Sequence, residues 1–120
     1  MTTIGFLLDE HIPLVIRERL KQSVPVMRVF VIGDDDAPSK GTPDSDLLTW
    51  IAMHNCLLVT NNRSTMPVHL REHLADGLHI PGIAQLPRRM NVGAILNDLL
   101  LIWELGQPDE FRDQIIYLPL

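Results

Sequence analysis

Two pairs of acids, Asp9 with Glu10 and Asp44 with Asp46, stand where a chain would place groups that hold a hard cation. The first pair ends the apolar run Ile4-Gly5-Phe6-Leu7-Leu8. A strand that stops at a carboxylate at the sheet mouth offers oxygen to an ion. Magnesium takes one or two such carboxylates and completes its shell with water and substrate phosphate. The second pair follows Thr42-Pro43 and opens a helix. Either pair alone is also ordinary helix-start chemistry, because acids favour the positive end of a helix. Together they are more specific, since both fall at the C-terminal edge of a parallel sheet and can converge there. A third stretch, Leu57-Leu58-Val59-Thr60-Asn61-Asn62-Arg63-Ser64, has the same design. The hydroxyls of Thr60 and Ser64 could hold a phosphate or a water near a helix N-terminus. Arg63 could contact a phosphate oxygen. The plainer alternatives are two capping hydroxyls and a surface arginine.

The elements that must position these groups can be read in order. Residues 4–8 form a continuous apolar run, as expected of a strand covered on both faces. Pro13 lies just inside the next helix, whose apolar positions are Leu14, Ile16 and Leu20. Residues 24–32 read as a second strand, and residues 33–41, with Asp34-Asp35-Asp36, as a solvated acidic loop. Thr42 is expected to cap a helix with Pro43 at its first position, running to about His54-Asn55. Residues 56–60 are the third and central strand. Ser64 or Thr65 is expected to cap a helix reaching Ala75, with Gly77 as its stop. A short strand falls within residues 81–86. Asn91 caps a strongly apolar helix over 92–105, which is either a buried central helix or a dimer contact. Residues 108–112 read as one helical turn, and 115–118 as a fifth strand.

Strands alternating with helices call for a mostly parallel sheet with helices on both faces. The expected fold is therefore a three-layer α/β/α domain with a five-stranded sheet. A chain of 120 residues suits one domain over 1–120, and 46% hydrophobic residues suffice for a core. A net charge of −5 argues against coating nucleic acid through bulk positive charge. It leaves room for a nuclease, because a carboxylate site is acidic until its ion binds. Cys56 has no partner for an intrachain disulfide and reads as a buried small hydrophobe. Without a charged leader or a long apolar run, the expectation is a cytoplasmic protein with no membrane contact.

The strings Leu7-Leu8-Asp9-Glu10-His11, Gly41-Thr42-Pro43-Asp44 and Leu57-Leu58-Val59-Thr60, with the tail Ile116-Tyr117-Leu118-Pro119-Leu120, resemble bacterial PIN-like domains. These are relatives of the VapC-type toxin nucleases, and the resemblance covers nearly the whole chain. It implies a five-stranded parallel sheet and a magnesium- or manganese-dependent ribonuclease, with the toxin of a toxin–antitoxin pair as the implied setting. By position, Asp9, Asp44 and residue 62 would be the catalytic set. Asp9, Glu10 and Asp44 would hold the metal, with Asp46 as the acid that could compensate for a missing one; Thr60, Arg63 and Ser64 stay candidates for the substrate on their own chemistry. RNA and an antitoxin-like protein are the implied partners, and a homo-oligomer is a further candidate. The sequence departs from the family at one place. An Asp is usual two residues after the third strand, and here it is Asn62. Asn offers one neutral oxygen and no charge, so the metal site should be weak. The alternative is a PIN-like binding module that has lost turnover.

Other chemistries fit less well. His54, His69, His73 and His79 lack zinc spacing, and His69 with His73 reads as a solvated helix face. Arg88-Arg89 is a weak RNA patch, and Trp50 and Trp103 read as core or interface packing. A receiver domain needs a phospho-accepting Asp after the third strand and a late Lys; the chain has neither. No Gly-rich loop follows Leu8, which argues against a dinucleotide site.

Overall fold

Residues 5–8 and 56–59 carry no polar face, so a sheet built on them must be covered on both sides. The computed structural model describes residues 4–62, 64–107 and 109–120 and does this with alternating elements. In chain order they are β1 (Gly5–Leu8), α1 (Leu14–Ser23), β2 (Val29–Val31), α2 (Asp44–His54), β3 (Cys56–Thr60), α3 (Met66–Ala75), β4 (Ile83–Gln85), α4 (Val92–Leu105) and β5 (Ile115–Tyr117). The sheet order is β2-β1-β3-β4-β5, and every pairing is parallel. β3 is the central strand, as expected. From β1 the chain winds outward to β2, crosses back to β3, and continues through β4 to β5. The winding therefore reverses between β1 and β3, which is where open α/β sheets bind ligands.

Strand periodicity sorts the core into two layers. Phe6, Leu8, Leu57, Val59, Ala84 and Leu86 pack with Ile16 and Leu20 of α1 and Ile95, Leu99 and Ile102 of α4. Leu7, Cys56, Leu58 and Ile83 pack with Leu47, Leu48 and Ile51 of α2 and Met66 and Leu70 of α3. The three-layer α/β/α arrangement follows. Its radius of gyration, 13.2 Å, is near the ~14 Å of one compact domain this long. A Cβ on Gly5 would meet the Arg28 carbonyl and the Cys56 sulfur at 3.0 Å, so a larger residue at the β1 entry would press on both neighbours. Among the described residues, no helix is long and apolar enough to cross a membrane.

Several boundaries differ from the sequence reading, each for a local reason. β2 shrinks from 24–32 to three residues. Pro25 lacks an N–H for the ladder, and Lys21 Nζ takes the carbonyls of Pro25 (3.0 Å) and Met27 (2.7 Å). α2 begins at Asp44 rather than Pro43, which keeps an extended ψ of 147°. Thr42 makes no cap, and its hydroxyl donates to the Ser39 carbonyl at 2.6 Å. Neither Ser64 nor Thr65 caps α3 through its side chain. Asn91 does cap α4, accepting from the Ala94 N–H at 3.1 Å. Residues 109–113 form turns rather than a helical turn, and β5 ends one residue early at Tyr117. α4 lies on the outside of the sheet. Its inner stripe is buried, and Leu101 and Leu105 face solvent.

The loop before β5 is pinned by one side chain. Asp113 accepts from the Ile80 N–H (2.9 Å) and the His79 ring (2.7 Å), and its own N–H donates to the Ile80 carbonyl (3.0 Å). Desolvation pushes the Asp113 pKa up, but the Ile80 amide, His79 and Arg112 outweigh it and hold the carboxyl below its ordinary 3.8. A depressed carboxylate pKa adds stability above the unfolded value and loses it as pH falls through the folded one. Asp113→Ala should therefore cost about 1–3 kcal/mol at neutral pH in urea unfolding, through the abandoned Ile80 amide. The gap to the parent should narrow as pH drops below 3.8.

Candidate functional site

Three loops meet at the C-terminal edge of the sheet, where the winding reverses. β1 delivers Asp9 one residue past its end, and β3 ends at Thr60, which is fully buried. α2 approaches the same edge with Asp44 as its first residue. A hydrogen-bonded chain joins them. Thr60 Oγ1 donates to Asp9 Oδ2 at 2.7 Å and accepts from the Asn62 N–H at 3.1 Å. Asn62 Nδ2 donates to Asp44 Oδ2 at 3.2 Å. The Asn62 oxygen accepts from the Thr65 N–H at 3.2 Å, doing at the entry to α3 what neither expected hydroxyl does. Asp9, Asp44 and Asn62 thus belong to one network with Thr60 as its buried hub.

The two carboxylates sit in different surroundings. Asp9 Oδ1 accepts from the Glu10 N–H at 2.8 Å, and both of its oxygens are engaged. Asp44 Oδ2 gathers Asn62 Nδ2, Thr65 Oγ1 at 3.3 Å and His69 Nε2 at 3.5 Å. Asp44 stands in the first turn of α2, so the unpaired amides of that helix end add positive potential there. The position of Asp44 thus serves helix and site together.

The remaining sequence candidates separate. Glu10 is exposed and enters the network through its backbone N–H. Asp46 is exposed, and among the described residues no hydrogen bond ties it to Asp44 or Asn62. It sits two residues along α2, about 200° around the helix from Asp44. Ser64 is exposed and outside the network. Arg63 lies outside the described residues. Two residues were missed. Thr65 bonds to both Asp44 and Asn62, and His69 sits beside Asp44 rather than on a plain solvated face. Spacing at three and four sets residues 62, 65 and 69 near one another around the α3 entry, but their approach to Asp44 depends on α2 lying beside α3. His73, also read as solvated, is buried. Cys56 is buried as expected, and burial pushes its thiol up to about 11 against the pull of Arg28. Such a thiol is unreactive at neutral pH.

Among the described residues, no three His, Cys, Asp or Glu side chains form a group placed to hold a metal ion. The fold defines the class, an α/β protein with a five-stranded parallel sheet and a polar network at its switch point. No family model, curated protein or solved structure matches the chain.

Thr60→Val keeps the shape of the hub and removes its hydroxyl. Asp9 loses a donor and the Asn62 N–H loses its acceptor, so stability should fall by about 1–3 kcal/mol in denaturant unfolding. Thr60→Ser should retain most of it. A loss in Thr60→Ser as large as or larger than that in Thr60→Val would mean that the buried methyl matters at least as much as the hydroxyl.

Proposed function

We propose that this chain is a PIN-like domain whose switch-point edge is a magnesium- or manganese-dependent ribonuclease site, with turnover lowered by Asn62. The observation that carries the reading is the chain Asp9–Thr60–Asn62–Asp44, which draws two carboxylates from distant segments to one sheet edge. The donor set fits a hard cation, since Asp9 and Asp44 supply carboxylate oxygens and each carboxylate has about four lone-pair sites. Asp9 and Asp44 would hold the ion, with Glu10 adjacent. When bound, the ion would lower the pKa of a water and offset phosphate charge. Asn62 is set against this role, because its amide nitrogen faces Asp44 and its oxygen faces Thr65. It lends a neutral donor where a third carboxylate would lend charge.

The protein's own groups account for substrate handling. The positive end of α2 and the Thr65 hydroxyl can orient a phosphate, and His69 can donate to one of its oxygens. Single-stranded RNA is the proposed substrate. In a toxin–antitoxin setting, the partner would be an antitoxin-like protein that covers this edge. A second reading, a binding module without turnover, draws on the same Asn62–Asp44 bond, which holds the site together through neutral donors.

Cleavage of a single-stranded RNA panel with manganese distinguishes the two. Asn62→Asp is nearly isosteric and would bring a second carboxylate to the 3.2 Å contact with Asp44. That repulsion is worth about 1–4 kcal/mol between bulk-water and near-surface screening. Asn62→Asp should lower stability without metal, and magnesium should restore it by mass action. Cleavage should rise in Asn62→Asp and vanish in Asn62→Asp/Asp9→Asn. Strong Asp9-dependent cleavage by the parent would show that Asn62 does not disarm the site. No cleavage by parent or Asn62→Asp, with no stabilisation by metal, would favour the binding module.

A further inference from the structure

A second site candidate, a cavity, lies at the other end of the sheet. It encloses about 440 Å³, within the range of small-molecule sites. Ile4, Asn55 and Pro81, which precede β1, β3 and β4, place it at the N-terminal edge. Ile80 and Ile102, both buried, form an apolar floor, and Trp103 and Phe111 form half-buried aromatic walls.

The wall is built rather than loose. Phe111 is carried on the turn that Asp113 pins to Ile80 and His79. Gly82 sits against it at φ +149°, where an added Cβ would meet the Phe111 carbonyl at 2.8 Å. The close seat of that turn on the β4 entry therefore depends on glycine.

Two independent sources make the cavity electronegative. Glu104, Asp109 and Glu110 line it against Arg112 and His79, which Asp113 holds at 3.9 and 2.7 Å, while Arg28 borders Trp103 in the adjoining hollow. α4 also ends here without a basic residue in its last turn, so its last carbonyls present the negative end of the helix. Aromatic walls add a face that attracts cations.

We propose that this cavity binds a small organic cation with an apolar or aromatic body, the body against Trp103 and Phe111 and the ammonium toward Glu104 and Glu110. The site is independent of the sheet-edge network at the opposite end and stands whether or not that edge cleaves RNA.

Phenethylamine is a suitable probe, with phenethyl alcohol and hydrocinnamate as neutral and anionic controls of like shape. Titration is followed on the two indole N–H signals in a nitrogen–proton NMR spectrum. Phenethylamine should shift the Trp103 signal saturably and leave Trp50 unmoved. The alcohol should bind about tenfold more weakly, the loss of one charge-assisted contact, and hydrocinnamate should not bind. Glu104→Gln/Glu110→Gln should weaken the amine about tenfold and leave the alcohol unchanged. Should that variant misfold, added salt must weaken the amine and spare the alcohol in the parent. Equal binding of the three probes, no saturable shift of Trp103, or an amine affinity indifferent to both the substitutions and salt would overturn the proposal.

Discussion

Burial of β1 and β3 on both faces is the constraint on which the architecture depends. Two strands with no polar face require a helical layer on each side, and a parallel sheet requires each connection to return the chain to the starting edge. Every helix therefore runs against the strands. Helix N-termini collect where the strands end, and helix C-termini collect where they begin. The molecule acquires two poles of opposite character from backbone geometry alone. Acids at one pole are stabilised by the helix that carries them, as Asp44 is by α2. Acids at the other pole, such as Glu104, add to a negative end instead.

At the first pole, one buried hydroxyl does the joining. Thr60 is an acceptor toward one loop and a donor toward another, and its hydroxyl does both with a single atom. Asn62 extends this economy, since its amide presents a donor to Asp44 and an acceptor to Thr65. A carboxylate at position 62 would have no donor to give. The network is thus satisfied by complementary neutral and charged partners, and no buried side-chain polar atom among the described residues lacks one.

Much of this was legible in the sequence because the signals were periodic or abrupt. The apolar runs that stop at Asp9 and Thr60 mark strand ends, and their alternation with helices implies the sheet. The fine structure was less legible where two local rules competed. Thr42 has the residue type of a cap, but a nearer carbonyl, that of Ser39, takes its hydroxyl. Residues 24–28 have strand-forming valines, but Pro25 and Lys21 divert their backbone. His69 and Thr65 could be placed beside Asp44 only once α2 and α3 were known to be neighbours, a tertiary fact that spacing within either helix does not contain. The Asp113 clasp joins residues more than thirty positions apart and leaves no local trace.

The two outermost strands are also the shortest kind the sheet contains. β2 and β5 have three residues each, and Pro25 and Pro119 stand close outside them. An open sheet edge is a template on which another chain can add a strand, and its danger grows with its length and flatness. Here each edge offers at most three residues before the backbone turns away. The sheet can thus be rich in apolar β-formers at its centre and still give intermolecular strand addition, the first step of fibrous aggregation, little to build on.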